Sequence, residues 1–342
     1  MDLSTLVMWT GFFLAAYSVV GNDVIQTLGT FLTSNEQRLP WYVLWLFAAG
    51  ILTVTLVIGH EGGNMSYGRL DKFSMPEYYH WYFLLPPLVL MIITRFGIPV
   101  STTFMILTLF SLQKIPNELP AMVSSVFDTN AELGGMIKKS LIGYMMAFGA
   151  ALVIYLLITG TIERYFIEHP TTKKEYAVWT VLQWGATGFL WSQWLIQDLA
   201  NIYIYLKGGY NLSNVTFYSS LLILLVLLGY IFYSKGGKVQ DVIRVKTNTA
   251  DIRSATIIDF IYGLVLFFFK DDILGIFGGK IPMSTTWVFV GILAGREIAI
   301  HLRLEKMVNR KIWRIVGSDL LKVFAGLVIS VVLVFVIKLL AT

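Results

Sequence analysis

The sequence predicts an all-α polytopic membrane protein made of two inverted-topology repeats, and three observations carry that prediction. Of 342 residues, 56% are hydrophobic and only 14% charged, against about 25% charged in ordinary soluble domains. Apolar runs long enough to approach or exceed a bilayer crossing recur at residues 3–20, 41–58, 144–159, 179–194, 217–232 and 323–340. Two short polar patterns also occur twice, in the same order, inside apolar stretches. Gly21-Asn22-Asp23-Val24-Ile25-Gln26 precedes Gly97-Ile98-Pro99-Val100-Ser101-Thr102-Thr103, and Ile196-Gln197-Asp198-Leu199-Ala200-Asn201 precedes Gly279-Lys280-Ile281-Pro282-Met283-Ser284-Thr285-Thr286. A soluble protein of buried helices would need far more charged surface than this chain supplies.

Each repeat reads alike, over residues 1–165 and 166–342, within one integrated membrane domain. A long first helix carries the Asp at or past its middle. It is expected to be broken or kinked there, because Gly and Asn-Asp tolerate non-helical backbone. In the first repeat this helix has no basic leader or small-residue cleavage site before it, so it reads as retained rather than as a signal peptide. A second spanning helix follows, then a polar link opened by Gly62-Gly63 or Gly236-Gly237. Next comes an apolar segment interrupted by Pro. Such a break at membrane depth is tolerated only where it is buried in protein or lines a cavity. Residues 78–112 and 257–300 therefore read as re-entrant hairpins with tips at 97–103 and 278–286. A last spanning helix closes each repeat. Three spanning helices and one re-entrant hairpin per repeat is an odd crossing count, which inverts the second half.

Charge gives an independent check. This topology sends Arg38, Arg164, Lys173, Lys174, Lys235, Lys238, Arg244, Lys246, Arg253, Arg303, Lys306, Arg310, Lys311 and Arg314 to one side. Arg69, Lys72, Lys114, Lys138, Lys139 and Lys207 fall on the other. The richer side is expected to be cytoplasmic, with both termini extracytoplasmic and the protein in the plasma (inner) membrane. The net charge of +5 is thus an orientation signal and not a nucleic-acid footprint. Trp41, Tyr42 and Trp45, and Tyr78, Tyr79, Trp81 and Tyr82, sit at segment ends as interfacial belts do.

Several chemistries are excluded. Absence of cysteine removes disulfides, thiol catalysis and Cys-based metal sites. His60, His80, His169 and His301 are scattered, so no metal is expected beyond Na+, and no cofactor. No nucleotide-binding loop or Ser–His–Asp set points to a pump or an enzyme.

A carboxylate in hydrocarbon costs roughly 2.5–3.5 kcal/mol. A single one can serve as a helix tie, and a single Pro-x-Ser-Thr-Thr as a kink, but matched duplication favours ligands. Asn22, Asp23 and Gln26, and Gln197, Asp198 and Asn201, each offer an anionic oxygen beside amide carbonyls on one helical face, a donor set for Na+. Ser101, Thr102 and Thr103, and Ser284, Thr285 and Thr286, follow Pro at helix starts, where hydroxyls and unpaired N–H groups attract an anion.

These residues resemble the inorganic phosphate transporter (PiT) family of Na+- or H+-coupled phosphate permeases, which includes bacterial sulfate permeases. Its repeated signature is Gly-Ala-Asn-Asp-Val-Ala-Asn, with a later Gly-Leu-Pro-Val-Ser-Thr-Thr-His in each half. Gly21 to Val24 and Asp198 to Asn201 look like the first element, and Gly97 to Thr103 and Ile281 to Thr286 like the second. Residues 236–243 are similar to the family's link. The resemblance implies a secondary active transporter of a tetrahedral oxyanion, phosphate first and sulfate next, coupled to Na+ or H+ by alternating access. Asn22, Asp23, Asp198 and Asn201 would help to hold cations, and the two Ser-Thr-Thr runs the anion; a homodimer is left open. Gln197 and Gln26 stand where the family has Asn, and Phe104 and Trp287 where it has His. An uncoupled anion channel or a non-transporting membrane receptor on the same fold is the alternative. Two carboxylates argue for coupling, since a passive anion pore gains nothing from them.

Overall fold

The computed structural model describes residues 2–71, 73, 75–95, 100–111, 117–128, 130–159, 162, 164–234, 251–270, 284–304 and 310–341. Twelve α-helices order them: α1 Leu3–Asn35, α2 Trp41–Glu61, α3 Leu85–Arg95, α4 Thr102–Phe110, α5 Leu119–Phe127, α6 Glu132–Ile158, α7 Arg164–Glu168, α8 Lys173–Tyr203, α9 Asn214–Tyr233, α10 Ile252–Lys270, α11 Thr285–Leu304 and α12 Arg310–Ala341. Among the described residues the β-type pairing is an isolated bridge between Asn64 and Tyr210. Seven helices (α1, α2, α6, α9, α10, α11 and α12) are long and apolar enough to cross a membrane. The chain is an all-α polytopic membrane protein.

Local chemistry sets the ends of α8. Thr172 accepts from the Glu175 N–H at 3.3 Å while the Glu175 carboxylate accepts from the Thr172 N–H at 2.9 Å, a reciprocal cap that satisfies two orphan donors. The Thr172 amide and then its hydroxyl hold the Glu175 carboxyl below its ordinary range. At the other end Tyr203 gives way to a 3-10 turn in which Gly208 and Gly209 take φ of 75° and 72°, a region that disfavours side chains. Met65 N–H bonds to the Gly209 carbonyl at 3.0 Å, which folds the segment after α2 against this turn.

α1 and α8 run antiparallel through the centre. Asn35 donates to Gln183 at 2.8 Å and the Phe31 and Trp184 rings lie 5.4 Å apart at one end. At the other end Phe12 meets Tyr203 at 5.7 Å. Asp23 and Asp198 fall between these contacts.

Two helical hairpins enter from opposite ends. The α3–α4 hairpin opens at the Tyr205 end, where the Tyr205 hydroxyl donates to the Phe83 carbonyl at 2.7 Å and its ring meets Phe110 at 5.2 Å. The α10–α11 hairpin opens at the other, where Arg253 donates to the Phe166 carbonyl at 2.8 Å and Arg303 to the Leu156 carbonyl at 2.7 Å. α3 lies along α1 as α10 lies along α8, and α4 packs on α12 as α11 packs on α6. The α6–α11 seam is a close one. A Cβ at Gly295 would stand 2.3 Å from the Phe148 carbonyl oxygen, and one at Gly291 2.6 Å from that of Tyr144. Small residues four apart allow this approach of two backbones.

Two expectations are corrected. The first helix of each half is not broken at its Asp: α1 and α8 continue as α-helix through Asn22-Asp23 and Gln197-Asp198. The side chains reach their partners without unwound backbone. The hairpins are also unequal. α3 and α4 have 11 and 9 residues, about half a bilayer at 1.5 Å per residue. α10 and α11 have 19 and 20, enough for about 30 Å. Their apolar windows are 72% buried, against 28–44% for the other five candidate spans, so protein rather than lipid surrounds them.

Candidate functional site

The sequence-predicted residues that are described come together where α1, α8 and the starts of α4 and α11 meet. Asn22, Asp23, Ser101, Thr102, Thr103, Asp198, Asn201, Ser284, Thr285 and Thr286 are all at most 2% exposed. The crowns before them, Gly97 to Pro99 and Gly279 to Met283, lie outside the described residues, as does the link at 236–243.

From α1, the Asn22 amide donates to the Asp23 Oδ1 at 2.5 Å and to the Val100 carbonyl at 3.0 Å. Asp23 Oδ2 accepts from the Thr102 hydroxyl at 2.7 Å. From α8, the Asn201 amide donates to Asp198 Oδ1 at 2.7 Å and to the Thr102 and Thr103 hydroxyls at 3.1 and 3.3 Å. Thr103 donates to Asp198 Oδ1 at 3.4 Å. One chain of hydrogen bonds therefore runs Asp23, Thr102, Asn201, Asp198. The second hairpin joins through Thr286, whose hydroxyl donates to the Val100 carbonyl at 3.3 Å. Thr285 stands beside the Asp198 carboxylate outside hydrogen-bonding geometry.

Three buried polar atoms here lack a partner among the described residues: Asp198 Oδ2, Asn201 Oδ1 and Trp287 Nε1. Buried polar atoms are rarely left so, and each calls for an occupant or a role. A carboxylate oxygen beside an amide carbonyl oxygen is a fitting pair for a hard cation.

Other expected ligands have different work. Gln26 turns back to donate to the Asn22 carbonyl at 3.4 Å. Gln197 donates to the Leu266 carbonyl at 3.1 Å and accepts from Arg69 at 3.0 Å. The longer Gln side chain reaches past its Asp to neighbouring backbone. Ser101 and Ser284 accept from the N–H groups of Phe104 and Trp287 at 3.2 and 3.3 Å, so they cap α4 and α11. Phe104 and Trp287 meet edge to face with ring centroids 6.4 Å apart.

Two residues were missed. Arg69, read as a charge on the membrane face, is 2% exposed and reaches Gln197. Asp259, on α10, accepts from the hydroxyls of Thr30 on α1 at 2.5 Å and Thr187 on α8 at 2.6 Å. An ionisable residue inside an apolar helix was signal enough for Asp259; for Arg69 none was available, because nothing local tells a loop to fold inward.

Comparison of the chain with known protein families, with characterised proteins and with solved structures gave no match.

Proposed function

We propose that this protein is a secondary active transporter of a tetrahedral oxyanion, phosphate first and sulfate next, coupled to Na+ or H+ and related to the PiT family. The observation that carries the reading is the hydrogen-bond chain joining Asp23 to Asp198 through Thr102 and Asn201, with Asp198 Oδ2 and Asn201 Oδ1 unmatched among the described residues. Buried carboxylates in a spanning bundle mark ion and proton paths. The starts of α4 and α11 supply the anion side, since helix N-termini favour negative charge.

Shared donors give the coupling. Thr102 and Thr103 turn their hydroxyls onto Asp23 and Asp198, where they cannot also serve an anion. A cation or proton on the carboxylates releases those hydroxyls for the oxyanion, and its charge offsets the repulsion between anion and carboxylates. The Arg-rich end, with Arg38, Arg164 and Arg253, is assigned to the cytoplasm of a plasma (inner) membrane by the positive-inside rule.

The test is uptake of labelled phosphate and sulfate into proteoliposomes, with and without imposed Na+ and pH gradients. Gradient-driven accumulation of either anion is expected. Equilibration without gradient dependence would instead favour an uncoupled channel, and absence of both uptake and binding would end the oxyanion reading.

A further inference from the structure

Between α11 and α12 runs a cleft of about 420 Å3, walled on α11 by Val290, Leu293 and Ala294. Across it, α12 turns Arg314, Ser318, Asp319 and Lys322 into the same space, and Glu297 of α11 joins them. The α12 residues follow one another at i, i+4, i+5 and i+8, a single strip of helix surface. Ile315 and Val316 add an apolar edge to the cleft, while Trp313, Leu321 and Phe324 point outward, 58%, 67% and 53% exposed.

Depth makes the strip informative. Beyond it α12 passes the first hairpin's tip at Gly326, where an added Cβ would touch Val100 at 3.2 Å. Lys322 lies one turn away, about 6 Å along the axis. The cleft thus extends from near the Arg310 end of α12 almost to the level of the tips. Ionisable side chains at such depth face protein or a water-filled cavity. At the inner wall, Val290 is one turn past Trp287 on α11. Trp287 meets Tyr144 of α6 at 6.3 Å and Phe104 of α4 at 6.4 Å. Phe104 and Trp287 directly follow Thr103 and Thr286 in sequence, so the ring cluster lies beside the tips, one turn of α11 from the cleft wall.

We propose that this cleft is a hydrated vestibule through which solute reaches the hairpin tips from the Arg310 end, with Tyr144, Trp287 and Phe104 as its inner gate. Its role in transport rests on the oxyanion reading above; its filling with water does not. Arg314 and Lys322 against Asp319 and Glu297 leave the cleft nearly neutral, so an oxyanion and its cation can both pass without being held.

Because the chain contains no cysteine, single cysteines report the test directly. Lys322→Cys and Leu321→Cys, neighbours at one depth, are reconstituted separately and treated with a charged, membrane-impermeant methanethiosulfonate. Lys322→Cys is expected to react faster by roughly two orders of magnitude, given the cost of carrying charge into hydrocarbon. Equally slow reaction at both would mean that lipid or protein fills the cleft, and equally fast reaction that this stretch stands outside the membrane; either overturns the vestibule. Ser318→Cys, which keeps every charge, repeats the comparison if Lys322→Cys fails to assemble. If phosphate and sulfate both leave a fast Lys322→Cys reaction unchanged and are not taken up, the oxyanion reading falls and the vestibule stands.

Discussion

The Thr102 hydroxyl donates to the Asp23 carboxylate at 2.7 Å across 79 residues of chain, and on its other side it accepts from Asn201. A single side chain at the start of α4 therefore links the carboxylates of both halves.

Removing that hydroxyl at nearly constant volume should be felt by the solute. A buried polar group that loses its partner costs about 1–3 kcal/mol, so Thr102→Val or Thr285→Val should weaken oxyanion binding by roughly 5- to 150-fold. Thr102→Ser keeps the donor and should stay near the parent. Ser124→Ala is the control, since Ser124 bonds only within α5, to the Ala121 carbonyl. Equilibrium binding of labelled phosphate and sulfate to purified protein measures the difference. Tip variants that bind as the control does would redirect the search to another solute.

The carboxylates themselves should govern coupling. Asp23→Asn and Asp198→Asn each replace a buried charge by a neutral amide that is easier to bury, so folding should hold while gradient-driven uptake is lost. Monodispersity reports the first and vesicle uptake the second. Unchanged Na+ or H+ dependence in both variants would make the two residues structural.

Asp259 should behave differently. Its two oxygens tie α10 to α1 through Thr30 and to α8 through Thr187, which is a brace between helices. Asp259→Leu leaves the Thr30 and Thr187 hydroxyls without their acceptor, and a loss of about 1–3 kcal/mol in stability is expected, with the coupling ion unchanged. Thermal unfolding in detergent and uptake in vesicles check the two parts. A changed coupling ion with unaltered stability would refute the brace.

The α6–α11 seam predicts a contrast between two glycines. Gly295→Ala forces a methyl against the Phe148 carbonyl at 2.3 Å and the Leu152 N at 2.9 Å, an overpacking worth about 1–3 kcal/mol. Gly317→Ala on α12 meets nothing within 4 Å and gains up to about 1 kcal/mol of helix propensity. Thermal melts of the pair should move in opposite directions; a shared direction would refute the seam.

The helical membrane class was legible because composition alone excludes a soluble surface. The gathering of Asn22, Asp23, Asp198 and Asn201 into one buried cluster was legible because duplication singled out their short polar side chains. The backbone partners of Gln26 and Gln197 were not, since an added methylene lets the amide swing to a carbonyl, that of Asn22 for Gln26 and that of Leu266 for Gln197. Asp259 has no duplicated counterpart, so repetition does not single it out. The lengths of α10 and α11 depend on how completely α8 and α6 enclose them, which is a tertiary fact.

The packing of α11 on α6 and of α4 on α12 has a consequence for biogenesis. Each half of the chain supplies the cradle for the other half's hairpin, so a nascent chain that has released only its first half holds α4 without α12 and α6 without α11. Asn22, Asp23 and Thr102 would then wait in the bilayer without Asn201. Insertion must proceed through an intermediate with buried polar groups still unmatched, and the cradle of α4 is complete only when α12 closes over it.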